Sequence, residues 1–138
     1  MKSNFFFGRF LNAFAEHVHI WYPILHADYM DKFLQAILTP FQPSVDSCLA
    51  LLILAIGSLA RHESITHAQK KRLETIYIQG AEDMLSCVLT DSSTRSMQCL
   101  LLFSVYYLCC AQPCRAHDFV AIASHKTQDT LTKVSAQT

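Results

Sequence analysis

Histidine, cysteine and carboxylate side chains are the groups in this chain that could do chemistry, and their spacing decides which chemistry is open to them. His62, Glu63 and His67 invite comparison with a zinc-hydrolase helix, where two histidines four residues apart face one metal beside a glutamate base. Here the histidines are five apart, a step that turns the second imidazole away from the first, so a solvated loop is expected. His17, His19 and His26 fall within ten residues and could form a metal or pH-responsive cluster. Only Asp28 offers a further ligand nearby, and packing and hydrogen-bonding roles fit them better. The six cysteines, Cys48, Cys87, Cys99, Cys109, Cys110 and Cys114, contain no Cys-x-x-Cys pair. Most lie in apolar helical runs where a thiol packs as a small hydrophobe, which favours reduced thiols in an intracellular compartment. Gly8, Gly57 and Gly80 are isolated, so no phosphate-cradling loop exists, and no Gly-x-Ser-x-Gly elbow occurs. No catalytic, cofactor-binding or metal-ligating residue is therefore predicted, and the chain is read as a non-enzyme. Gln98 is the polar side chain most in need of explanation, because its amide leads the run Leu100 to Phe103 and must find partners at a helix boundary or across helices.

The elements that carry these residues are helices. Cys48 to Ala60 has eleven apolar residues in thirteen and no charge, so as a helix it must be covered on every side. Its length of roughly 20 Å falls well short of a hydrocarbon core of about 30 Å, which makes it a central core helix. Met97 to Ala111 is a second such run, interrupted only by Gln98 and Ser104. Before them, Phe7, Phe10, Leu11, Phe14 and Val18 share one face of an amphipathic helix that ends near Pro23. A short helix is expected from Asp28 to Ile37, stopped by Pro40, with Asp46 or Ser47 capping the central helix. In the central helix Ala50, Gly57 and Ala60 form a stripe for close approach of another helix. Leu73, Ile76, Tyr77, Gly80, Ala81, Met84, Leu85 and Val88 predict one long helix, with Lys70, Lys71 and Arg72 on a solvated face. A last, weaker helix carries Phe119, Ile122, Ala123, Thr127, Thr130 and Leu131, and residues 132–138 read as a fraying tail. The expected fold is all-α, an irregular bundle of about six helices around two very apolar central ones.

Composition bounds the partners. Eleven basic and eleven acidic residues cancel, so the chain lacks the positive field that binding to nucleic acid relies on. An apolar fraction of 51%, 16% charge and a mean hydropathy of +0.22 leave much apolar surface in search of cover. The N-terminal run Met1 to Ala15 imitates a signal peptide, but Arg9 and Asn12 interrupt its apolar segment and suit an amphipathic helix better.

Taken in order, these segments resemble the fungal-specific transcription factor domain, the helical middle homology region of regulators that usually carry a binuclear zinc cluster. Glu16 to His26, with His17, His19, Tyr22, Pro23, Leu25 and His26, is similar to the family's opening block, an aromatic helix end leading into Tyr-Pro-Ile-Leu-His. Leu49 to Ala60 resembles the leucine-rich block ending in Ala-x-Gly-x-x-Ala, here Ala55, Gly57 and Ala60. Ala81 to Leu85 resembles the next block. Gln98 to Leu108, with Leu101 and Tyr106, looks like the one in which glutamine leads a leucine run closing on Tyr-Tyr-Leu. Gln112 to Ala123, with Ala116 and His117, is similar to the block after that. Ile20 stands where family members often have proline, and Cys114 where a larger apolar residue is usual.

The resemblance implies a regulatory domain in the nucleus that works through protein contacts or an effector response and has no catalysis of its own. Its partners would be other protein chains, with a homodimer or the transcription machinery as candidates, and no membrane. The family's zinc cluster uses six cysteines in repeated Cys-x-x-Cys pairs, which these six do not form, so zinc and DNA would be reached only through a cluster domain absent here. Residues 1–138 are read as a single partial domain lacking the family's later helices. The alternative readings are a small membrane-associated helical protein and a truncated, non-functional fragment.

Overall fold

Ser44 starts the central helix. Its hydroxyl accepts a hydrogen bond from the Ser47 N–H at 3.1 Å and its carbonyl accepts from the Cys48 N–H at 3.0 Å, so it occupies the N-cap expected at Asp46 or Ser47. The reason is that the helix, α1 (Val45–Ala60), opens three residues earlier than its uncharged run. Asp46 is thereby placed in the first turn, where its carboxylate meets Arg95 at 2.5 Å. The computed structural model describes residues 10, 12–19, 43–60 and 67–136. The expected helix from Asp28, the aromatic pair Trp21 and Tyr22, and His62 and Glu63 lie outside them.

α1 is enclosed as its composition demands. Leu49, Leu52, Ile53, Leu54, Ala55 and Ile56 are buried, and Ser58 satisfies its buried hydroxyl by donating to the Ala55 carbonyl at 2.7 Å. The residues that cover it come from three directions. At the N-terminal end, residues 12–14 are α-helical and pass into a π-helical turn, Ala15–His19. Phe10 and Phe14 are fully buried there while Asn12 and Glu16 are exposed, as the amphipathic pattern predicts. The approach to α1 is very close at Gly57. A Cβ at that position would overlap the Phe10 carbonyl oxygen and lie 2.8 Å from its carbonyl carbon. Gly57 is what lets the two backbones touch.

The second direction is α2 (His67–Asp83), followed by a short α3 (Leu85–Thr90). One continuous helix was the expectation, but the chain tightens at Met84, whose N–H bonds the Ala81 carbonyl at 3.1 Å. The buried face also differs: Tyr77, Ile78, Ala81 and Val88 point inward, while Ile76 is 56% exposed. Lys71 and Arg72 are exposed, as a solvated face requires.

The third is α4 (Thr94–Cys109), the second apolar run, which packs directly on α1 and buries Leu100, Leu102, Phe103, Val105, Tyr106 and Tyr107. Ser93 caps it, accepting from the Ser96 N–H at 3.3 Å. It ends in a left-handed turn at Ala111 (φ 58°), where the Gln112 N–H reaches the Tyr107 carbonyl at 2.8 Å. Pro113 then begins α5 (Pro113–Ala136), at the helix position where a missing N–H costs nothing.

α5 lies along α4 and buries Ala116 and Ala123, with Phe119 stacked on Phe103 at 4.8 Å. Ile122 and Leu131, expected on the same face, are 36% and 62% exposed because the packed stripe runs through Ala116, Phe119, Ala123 and Lys126 and leaves them to one side. Residues 131–136 are helical and exposed. The fold is all-α: among the described residues there are five α-helices, a π-helical turn and no strand. None of these helices is long and apolar enough to cross a membrane.

Candidate functional site

The residues singled out by the sequence divide between core and surface. Ala55, Gly57, Tyr106 and Ala116 are buried in the α1–α4–α5 core, and Leu101 and Gln98 are half-buried on α4. Ala116 offers its carbonyl to the buried Ser104 hydroxyl at 3.1 Å, which ties α5 to the middle of α4. His17 and His117 are exposed. His19 lies on the same π-helical turn as His17. Tyr22, Pro23, Leu25 and His26 lie outside the described residues.

A cleft of about 630 Å³ lies where the first turns of α1 and α4 meet, lined by Val45, Asp46, Asp91, Ser93, Thr94, Arg95 and Gln98. Its position follows from local capping. Asp91 accepts from the Ser93 N–H at 2.6 Å, and that turn aims Ser93 to cap α4. Hydrogen bonds donated to it by Ser93, first from the side chain and then from the backbone N–H, hold the Asp91 carboxyl below the usual carboxylate range. Asp46 and Arg95 neutralise one another across the cleft. The walls thus present partnered charges, hydroxyls and an amide, a set suited to hydrogen-bonding a polar group.

A second polar cluster, unforeseen from sequence, joins α2, α4 and α5. The Tyr106 hydroxyl donates to Glu74 Oε1 at 2.8 Å and the Tyr107 hydroxyl donates to Glu82. Arg115 lies over the Tyr107 ring at 4.9 Å, and Phe119 stacks on both Phe103 and Tyr107. Burial, then the adjacent glutamate, raises both phenol pKa values above their ordinary range. The signal that could have revealed this cluster is the spacing of Glu74 and Glu82, about two turns apart on one helix, opposite a Tyr-Tyr pair.

Lys126 is the third residue whose role was hidden. Its ammonium donates to the carbonyls of Val88, Leu89 and Asp91 at 3.3, 2.9 and 2.6 Å, closing the end of α3 with a group from α5. Among the described residues no group of three or more histidine, cysteine or acidic side chains could hold a metal ion.

Residues 11–128 match the fungal-specific transcription factor domain. The chain belongs to that family. A protein from Aspergillus rugulosus named "Putative transcription factor ecdB" is 40% identical over 119 residues, which cover 86% of this chain and 20% of that relative. The chain therefore spans about a fifth of the length of the curated relative it matches. No solved structure matches it. In this fungal-specific transcription factor domain the matched span takes in every α-helix described, α1 to α4 whole and α5 as far as residue 128. Its family role is in transcription regulation.

Proposed function

We propose that this chain is a regulatory segment of a fungal transcription regulator, acting in the nucleus through protein contacts or an effector response and not by reading DNA itself. The observation that carries this reading is the family match across residues 11–128, a span whose described residues form one helical core. Formal neutrality supports the second half of it, since sequence-independent attraction to DNA comes from excess lysine and arginine facing phosphates. On this reading the cleft between the first turns of α1 and α4 is the place for a polar effector, and the bundle surface is the place for protein contacts.

The test is a tethering assay. The chain is fused between a heterologous DNA-binding domain and a strong activation segment, and reporter output is compared with the same fusion carrying a flexible linker of equal length. A regulatory segment changes output severalfold in the host nucleus. Output equal to that of the linker control contradicts the proposal. A mobility-shift assay with the isolated chain is expected to show no sequence-preferring retention of DNA, and clear sequence-specific retention would overturn the second half.

A further inference from the structure

We propose that the outer face of α5 docks a second copy of this chain, α5 against α5 and antiparallel, in a weak two-fold dimer. Such a dimer is one of the protein contacts on which the proposed function relies, and its part in regulation rests on that reading. Val120, Ser124, Thr127, Leu131 and Val134 follow one another at steps of four, three, four and three residues, the spacing of a coiled-coil seam. All five are exposed, Val120, Leu131 and Val134 at 41%, 62% and 56%. The seam is separate from the stripe that packs on α4. At about 100° per residue, the buried Ala123 and the stacked Phe119 stand to one side of Val120.

α5 also outlasts the helix it packs on. The two run antiparallel, since Ser104 of α4 bonds Ala116 and Met97, in the first turn of α4, meets the Thr127 hydroxyl at 3.1 Å. From there α4 has only one turn left, back to Thr94, while α5 continues to Ala136. Leu131 and Val134 are therefore carried past the start of α4, which leaves an apolar stripe on a helix that has run beyond its packing neighbour.

Two observations select a second copy as the occupant. The first is charge. Asp118, His125, Asp129 and Lys133 all project from the far side of α5, about 140° to 180° round the helix from the seam. The seam and its flanking residues Ala121 and Gln128 carry no charge, so a charged partner finds nothing to complement and an identical face finds nothing to repel it. The second is the pattern itself. A two-fold axis between residues 125 and 126 sets Val120 against Leu131 of the second copy and Ser124 against Thr127, and symmetry repeats both pairings. Apolar side chains then face apolar ones and hydroxyls face hydroxyls in every layer. Antiparallel alignment also places each helix N-terminus beside a C-terminus, the favourable arrangement of two macrodipoles. From Val120 to Val134 the seam is only about 21 Å long, short of what a standard-size interface needs, so the dimer is weak and reversible.

The experiment is sedimentation velocity on the 138-residue chain across roughly 1 to 300 µM, a range that brackets micromolar dissociation constants. The expected average mass climbs from the 15.6 kDa monomer toward twice that value. Val120→Glu and Leu131→Lys should each weaken association at least about tenfold, because each sets a charge against an apolar side chain in the closed seam. The double variant should restore it, since antiparallel copies bring the two new charges, opposite in sign, together, whereas parallel copies would oppose like charges. Both positions are exposed, so the melting midpoints should stay within about 2 °C of the wild type, and the wild-type measurement stands without any variant. A wild-type chain that stays monomeric throughout overturns the proposal. So does association that neither single variant weakens, or a double variant that remains monomeric. The tethered reporter separates this inference from the proposed function: a monomeric chain that still alters output overturns the dimer alone, and a dimer whose output equals the linker control overturns the regulatory reading alone.

Discussion

Gly57→Ala is the smallest change with the clearest structural consequence. The added Cβ would overlap the Phe10 carbonyl oxygen and lie 2.8 Å from its carbonyl carbon and 3.2 Å from its Cα. These are backbone atoms, so no rotamer change removes the clash, and the N-terminal helical segment must move off α1. Two effects compete. Alanine is better than glycine in a helix interior by about 1 kcal/mol. Overpacking a closed core costs about 1 to 3 kcal/mol, and a clash with backbone belongs at the upper end or above. The net expectation is a destabilisation of about 1 to 2 kcal/mol, a midpoint lower by about 3 to 8 °C for a chain of this size. Gly80→Ala is the control, because the nearest atom to a Cβ there is the Leu51 Cδ1 at 3.1 Å, the tip of a flexible side chain. Helix propensity should dominate at Gly80 and leave the midpoint unchanged or slightly higher. Thermal melts followed by circular dichroism on the wild type and both variants decide the matter. A Gly57→Ala protein as stable as the wild type would refute the backbone contact between Phe10 and α1.

Lys126→Met keeps the aliphatic stem but removes three hydrogen bonds from the end of α3, and should cost about 1.5 to 3 kcal/mol. Hydrogen exchange should speed up locally at residues 85–91, and uniform exchange would contradict a local capping role. Ala111→Gly relieves a left-handed backbone that costs a non-glycine residue about 1 kcal/mol, so the melting midpoint should rise by a few degrees. Tyr106 and Tyr107 hold their protons more tightly folded than unfolded, so their contribution is complete below the free phenol pKa of about 10 and declines as pH rises above it. A Tyr106→Phe, Tyr107→Phe double variant should therefore lose less stability between neutral and strongly alkaline pH than the wild type, as read from pH-dependent urea unfolding. Asp91 has the opposite sign: its lowered carboxyl pKa gives stability that is present above about pH 4 and lost on acidification, a slope that Asp91→Asn should remove.

The apolar helices were readable in the sequence because composition alone dictates their burial. Leu49 to Ile56 and Leu100 to Tyr107 contain no charge, and no arrangement other than enclosure suits them. Gly57 was readable for a related reason, since glycine inside such a helix calls for a close neighbour. Phases at helix ends were less readable. Ile76 and Ile78 are two residues apart and equally apolar, so periodicity could not choose between them before the tightened step at Met84 was known. The polar contacts were hidden because they join residues far apart in the chain. Lys126 reaches the end of α3, and Tyr106 and Tyr107 reach Glu74 and Glu82 on α2, through packing that no local pattern encodes. The cleft is hidden from the sequence for the same reason: Asp46 and Arg95 are 49 positions apart, and only the crossing of α1 and α4 brings them together.

The central claim is that the chain regulates transcription through its folded helical core, and the tethered reporter tests it most directly when wild type is compared with Gly57→Leu at matched protein abundance. The leucine side chain cannot be housed between α1 and the Phe10 backbone, so the core is disrupted while the surface sequence is unchanged. The wild-type segment is expected to alter reporter output severalfold, and Gly57→Leu to return it to the level of the linker control. Equal output from wild type and Gly57→Leu, at equal abundance, would contradict the claim.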